Sequence, residues 1–314
     1  MSDILSFYKK ILTVAENKTE YWLLNGRNVL YFPIVVPHGV KVFDMLENIF
    51  QKYINLLCNE NARNVFSQTD VNDISEVCNL IKLSLQKYLS GDIIEAYAIF
   101  SKLLTDKCIG RFPLKNVEKN ILFFRMRSDF DVTDKKGFYH LPSTLRSKCS
   151  SERYSISGYP CFYLGYSKND CYLEIGPNGS MISLCLDERF NFRVLDLTFF
   201  EDQMKGRMIE DFVRVWPVVA ACNLVLPKAD TDNMKFREEY VIPQMLTAYL
   251  KHHHVCDGIC YYSVRNENLN PSGTGEDDYR NIVLFPDIKA RDEYDDEMMD
   301  KFRWYKPFNV GQRP

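Results

Sequence analysis

The sequence offers little that would tie it to a nucleic acid, a membrane or a disulfide scaffold. Its lysines and arginines are scattered without a long basic block and the net charge is -3, so it lacks the basic face that binding to a phosphate backbone asks for. The longest apolar runs, VLYFPIVV and VVAACNLVL, are about half the length needed to span a bilayer. The opening stretch MSDILSFYKKILTVAENKTEYW carries acids early and no apolar core ahead of a small-residue cleavage site, so it does not read as an export signal. There are 10 cysteines but no CxxC pair. Spread over a long chain without an export signal, they read as free thiols in a reducing cytoplasm. The nearest approach to a metal cluster is HHHVCDGIC, with His252, His253, His254, Cys256 and Cys260. Zinc ligands pair at tighter, repeated spacings, and these histidines suit the negative end of a helix, so no metal is expected.

What is present is an ordinary globular composition, with 46% hydrophobic and 26% charged residues in 314. That length can bury a substantial core and accommodates two domains. Residues 1–115 read as a mostly helical domain. FDMLENIFQKYINLL and DISEVCNLIKLSLQKYL have apolar residues near helical spacing, the second with Asp73 or Ser75 as its cap. SGD at 90–92 ends one helix and opens the next, IIEAYAIFSKLL. NVLYFPIVV reads as a strand. No chemical motif marks this half, which reads as a packing or partner-binding domain.

From about residue 120 the texture changes. NILFFRMR, CFYLGYS, MISLCLD, FRVLDLTF, GICYYSV and NIVLFPD are short apolar, aromatic and β-branched runs broken by Gly, Pro, Asn and Asp, as strands are. Two helices, near 207–224 and 243–254, interrupt them, and 265–279 reads as a polar loop. The expectation is an α+β chain: helical at 1–115, mixed β/α at 116–290, and a C-terminal arm at 291–314 made of a short helix and a tail.

Within the second half, chemistry-bearing residues gather around one short strand. Arg125 and Arg127 alternate on FFRMR and so point to one face. An arginine grips phosphate or carboxylate with a planar fork of donors, although most arginines are surface ion pairs. Arg153 and Tyr154 open RYSISGYPCFYLGYSKNDCYLE, where Tyr163 alternates with Phe162 and Leu164. Glu174 follows Cys171, Tyr172 and Leu173 in an apolar turn, and a buried carboxylate must be paired or functional. Ser263 ends GICYYS.

The segments FFRMR, RYSISGYPCFYLGYSKNDCYLEIG, YVIPQMLTAYLKHHHVCDGICYYSV and NIVLF together resemble the RES domain over roughly residues 120–287. The family's order of an arginine after an apolar run, a second arginine opening a turn, a strand tyrosine, a helical glutamate and a serine after a DGI-Y strand falls on Arg125, Arg153, Tyr163, Glu174 and Ser263. The turn ERYSISGYP lacks the family's leading glycine and its asparagine.

RES domains resemble the ADP-ribosylating toxins in fold and consume NAD. The resemblance therefore implies an NAD-binding catalytic domain that cleaves the nicotinamide–ribose bond, as a glycohydrolase or phosphorylase acting as a toxin or defence effector. An ADP-ribosyltransferase would share the same site, and a non-catalytic nucleotide-binding module is the third reading. NAD is here a substrate, and no separate cofactor is implied. Glu174, Arg153, Tyr163 and Ser263 are the implied catalytic residues, and Arg125, Arg153, Tyr154 and Tyr163 the implied NAD-binding residues. NAD depletion harms a host, so a restraint is expected: a separate inhibitor protein, or the N-terminal half itself, which alternatively mediates self-association.

Overall fold

The computed structural model describes residues 32–58, 67–198, 207–227, 234–263, 280–288 and 293–311. In chain order these form β1 (Ile34–Val35), α1 (Val42–Leu57), α2 (Gln68–Leu89), α3 (Ile93–Leu103), β2 (Leu114–Asn116), β3 (Phe123–Arg127), α4 (Lys135–Phe138), β4 (Phe162–Gly165) and α5 (Lys168–Ile175). There follow β5 (Gly179–Leu186), β6 (Arg193–Asp196), α6 (Arg207–Cys222), β7 (Leu224–Val225), α7 (Val241–His252), β8 (Gly258–Tyr262), β9 (Arg280–Leu284), α8 (Asp296–Asp300), β10 (Phe302–Trp304) and β11 (Phe308–Val310). The fold is α+β, as the sequence reading has it. The expected loop at 265–279 lies outside the described residues.

The chain folds as two compact units, and each is discontinuous. One takes Met1–Phe112 and Phe199–Leu246, the other Pro113–Thr198 and Thr247–Pro314. The first crossing falls between Phe112 and Pro113, and α6, placed in the second half on sequence, lies in the first unit. The reason is packing. In that unit α2 contacts α1, α3 and α6, Tyr53 of α1 stacks on Trp216 of α6 with ring centroids 4.0 Å apart, and the Tyr53 hydroxyl donates to the Val213 carbonyl at 2.8 Å. Arg214 of α6 pairs with Asp70 and Asp73 of α2. The start of α2 also differs from expectation. Ser67 and Asp70 close a capping box six residues before Asp73, each side chain accepting the other's backbone N–H.

The second unit is built on one sheet in the order β10-β5-β3-β4-β9-β8-β6-β2, with β11 also on β5. All pairings are antiparallel except β6 with β8. Alternation gives the sheet two dissimilar faces. One carries the main core, where Phe123, Phe162, Leu164, Leu184, Ile282 and Leu284 meet Phe138, Tyr139, Met298 and Phe302. On the other, Met126 and Met181 pack under Cys171 of α5. The expected C-terminal arm is therefore part of the sheet, since β10 and β11 both pair with β5.

Helix α5 is held at both ends. Ser167 and Asp170 form a second capping box, with Ser167 N–H donating to Asp170 at 2.9 Å and Asp170 N–H to Ser167 at 3.2 Å. Gly176 closes the helix at φ 111, a backbone region that favours glycine, and Pro177 follows it. This fixes the helix bearing Glu174 directly after strand β4.

Candidate functional site

Residues 149–158 place the second arginine. Glu152 and Ser155 exchange two backbone hydrogen bonds of 3.0 and 3.1 Å, so Arg153 and Tyr154 form the tip of a closed turn. A tip of this kind usually meets solvent, yet Arg153 is 6% exposed and Tyr154 0%. The surface alternative for Arg153 is thus removed by the fold. Tyr163 of β4 holds the turn in place: its hydroxyl accepts the Tyr154 N–H at 3.3 Å and shares a 2.8 Å hydrogen bond with the Ser155 hydroxyl. Burial, followed by the neighbouring Cys161, pushes the Tyr163 pKa well above the tyrosine value. Tyr163 therefore stays neutral, able to accept and donate at once.

Glu174 and Ser263 lie 89 residues apart and meet at 2.9 Å, the serine hydroxyl donating to the carboxylate. The helical environment of Glu174 differs from the apolar turn that its sequence suggests. Leu173 and Ile175 are the exposed residues, at 40% and 47%, while Glu174 is half-buried. The cause is helical phase. Cys171, one turn earlier, packs on the sheet with Met126 and Met181, and the i, i+3 spacing carries Glu174 to the same side.

Arg125 takes a place that alternation alone does not show. Strands β3 and β4 pair only at Phe124 with Gly165, which leaves the Tyr163 carbonyl to another donor. Arg125 fills the gap, giving Nη1 to that carbonyl at 2.6 Å and laying its guanidinium 5.2 Å over the Phe162 ring. Its Nε is buried and has no hydrogen-bond partner among the described residues. Burial first, and Arg127 second, oppose its charge and lower its pKa. Arg127, expected to share the face of Arg125, spends its donors on the carbonyls of Gly137 and Tyr139, each at 2.9 Å. Burial first, then Asp170 and Glu174, raise the Cys171 pKa, while Arg125 opposes them.

The turn, Tyr163 and the Glu174–Ser263 pair are gathered around a residue that the sequence reading passes over. Tyr261 lies on β8 two residues before Ser263, and its ring sits 4.7 Å from that of Tyr154. Burial and then Glu174, Tyr163 and Tyr154 raise the Tyr261 pKa, while Arg153 opposes them. Ser155 is the second such residue. The signal for Tyr261 was its i, i+2 relation to Ser263; Ser155 left none beyond its place in the turn.

Among the described residues no group of three or more His, Cys, Asp or Glu side chains is arranged to hold a metal ion. Nor is any described helix long and apolar enough to cross a membrane. The chain is 28% identical over 258 residues to a Bacillus subtilis (strain 168) protein named "Putative toxin YopC". The match covers 74% of this chain and 58% of that protein's length. No family model matches the chain, so the resemblance to the RES domain rests on the residue pattern. No solved structure matches it.

Proposed function

We propose that this chain is a toxin enzyme that consumes NAD by cleaving its nicotinamide–ribose bond. The observation that carries the reading is the Glu174–Ser263 hydrogen bond of 2.9 Å, formed across 89 residues beside a buried arginine turn. A half-buried carboxylate oriented by a hydroxyl suits the stabilisation of a developing cation. Cleavage at the ribose builds oxocarbenium character, as in glycoside hydrolysis. Nicotinamide leaves as a neutral ring because it is already cationic in NAD, so no general acid is needed to expel it. In the hydrolytic case, water adds to the ribose carbon and one proton is released, giving ADP-ribose and nicotinamide.

In this reading Glu174 stabilises the ribosyl cation and orients its hydroxyls, and Ser263 fixes Glu174. Arg153 grips the pyrophosphate or ribose, and Arg125 contributes charge from the strand gap. Tyr163 holds the arginine turn and packs beside the nicotinamide ring, with Tyr154. The kinship with a protein named as a toxin supports the biological class.

The test is NAD loss over time with the full chain and with Glu174→Gln, matched for melting temperature. The parent is expected to deplete NAD and the variant to be slower by roughly a hundredfold or more, in line with the removal of one electrostatic stabiliser. Equal rates would remove Glu174 from the mechanism. Absence of turnover in the parent would remove the reaction. The product, whether ADP-ribose, a phosphorylated ribosyl product or a modified protein, identifies the acceptor.

A further inference from the structure

Building on the NAD-cleaving reading, we infer that Tyr261 is a substrate-contacting residue whose hydroxyl donates a hydrogen bond to a ribosyl oxygen of the bound nucleotide, beside Glu174. Sheet register sets its position. Tyr261 stands opposite Asn281 of β9, and alternation gives it the same face as Ser263, whose hydroxyl holds Glu174 at 2.9 Å. Tyr154, at the tip of the arginine turn, covers one side of its ring. The residue is only 8% exposed.

A tyrosine so buried ordinarily has a partner for its hydroxyl. In this unit Tyr139 donates to the Asp295 carbonyl at 2.9 Å, Tyr159 to the Pro286 carbonyl at 2.8 Å, and Tyr163 bonds with Ser155 at 2.8 Å. The Tyr261 hydroxyl forms no hydrogen bond among the described residues. It differs from the hydroxyl of Tyr166, which also lacks a partner but is sealed from solvent. A phenylalanine would fill the same space against Tyr154, so packing does not account for the oxygen. Burial and the adjacent Glu174 keep that oxygen protonated. It is thus a neutral donor, near the carboxylate proposed to face the ribose, with no acceptor among the described residues.

Tyr261→Phe removes this donor and keeps the ring. Its melting temperature should match the parent. ADP-ribose affinity, measured by calorimetry in the Glu174→Gln background to avoid turnover, should fall roughly three- to tenfold, the range for one neutral hydrogen bond. In the otherwise unaltered enzyme KM for NAD should rise by a similar factor. Unchanged affinity and KM would overturn the assignment. A fluorotyrosine at position 261 of the Glu174→Gln protein reports the contact without deleting the hydroxyl: a fluorine resonance shift on adding ADP-ribose is expected, and no shift overturns it. If the parent neither binds nor consumes NAD, the NAD reading falls, and growth arrest on induced expression decides for Tyr261. Relief by Tyr261→Phe would then keep the residue in the site of another ribosyl ligand. Arrest equal to the parent's, or no arrest by the parent, would reject it.

Discussion

Ser263 is fully buried, and its hydroxyl is committed to the Glu174 carboxylate at 2.9 Å. Such a bond fixes which way the carboxylate points more than it stabilises the fold, since Glu174 is half-buried and water can replace the lost donor. Ser263→Ala should therefore lower kcat by roughly tenfold, equivalent to about 1.4 kcal/mol, with KM little changed and the melting temperature close to the parent's. Steady-state kinetics beside a thermal melt would separate the two effects. An unchanged kcat would mean that the serine does not position Glu174. At this scale the candidate site was partly legible. Arginine, glutamate and a strand-end serine announce themselves because a core does not need them. Tyr261 did not, because two tyrosines on a strand look like ordinary β-packing, and only the register beside Glu174 distinguishes them. The role of Arg125 was hidden for a different reason: it depends on a break in the β3–β4 ladder after Phe124 and Gly165, which no residue of either strand signals.

Among the elements, the N-cap of α8 is held by His140, in the segment that follows α4. This side chain is 1% exposed. Its Nδ1 lies 2.8 Å from the Leu141 carbonyl, which can only accept, so Nδ1 carries the proton. Its Nε2 accepts the backbone N–H of Asp295, the N-cap of α8, at 3.1 Å. Protonating Nε2 would set a donor against a donor. Burial lowers the His140 pKa below its ordinary 6.5; Arg125 acts in the same direction, while the Leu141 bond, Asp295 and Asp296 oppose it. A depressed histidine pKa contributes stability that is complete above the ordinary value and is lost as pH falls through the folded one. Thermal melts stepped from pH 7.5 to 5.5, about one unit either side of that value, should show the parent losing stability faster than His140→Asn. Parallel curves would mean that the histidine is not held neutral. The helices and the longer strands were legible from their 3.6 and 2.0 periods. Strands β10 and β11 were not, because three residues are too few for alternation to show, and the helix beside them drew the reading toward an arm. The start of α2 was missed because Ser67–Asp70 caps the helix in a polar stretch ahead of its apolar stripe.

For the whole molecule, every strand among the described residues except β1 and β2 lies beyond the change of texture near residue 120, but strand content does not say which core a later helix joins. Helix α6 is bordered in sequence by the second unit's segments and still belongs with Met1–Phe112. Val215, Trp216, Val218 and Val219 are each no more than 1% exposed, and Trp216 has Tyr53 of α1 against its ring. A cut at the apparent boundary would therefore not release the second unit as a free-standing domain. It would remove α1, α2 and α3 and leave an apolar helix uncovered, along with Arg214 parted from Asp70 and Asp73. Exposing several large side chains at about 1.5–3 kcal/mol each exceeds what a domain of ordinary stability can absorb. A chain beginning at Pro113 should accordingly aggregate or elute with an expanded radius on size exclusion, with near-ultraviolet circular dichroism weakened at the tryptophan bands. A compact, monomeric and ordered product would show instead that the Pro113–Thr198 and Thr247–Pro314 unit tolerates α6 without its neighbours. Only then could a change in NAD consumption between the long and short chains be read as restraint by the helical unit. If the short chain fails to fold, loss of activity says nothing about restraint, and the question passes to point substitutions on exposed positions of that unit, such as Ile94 at 87% exposure.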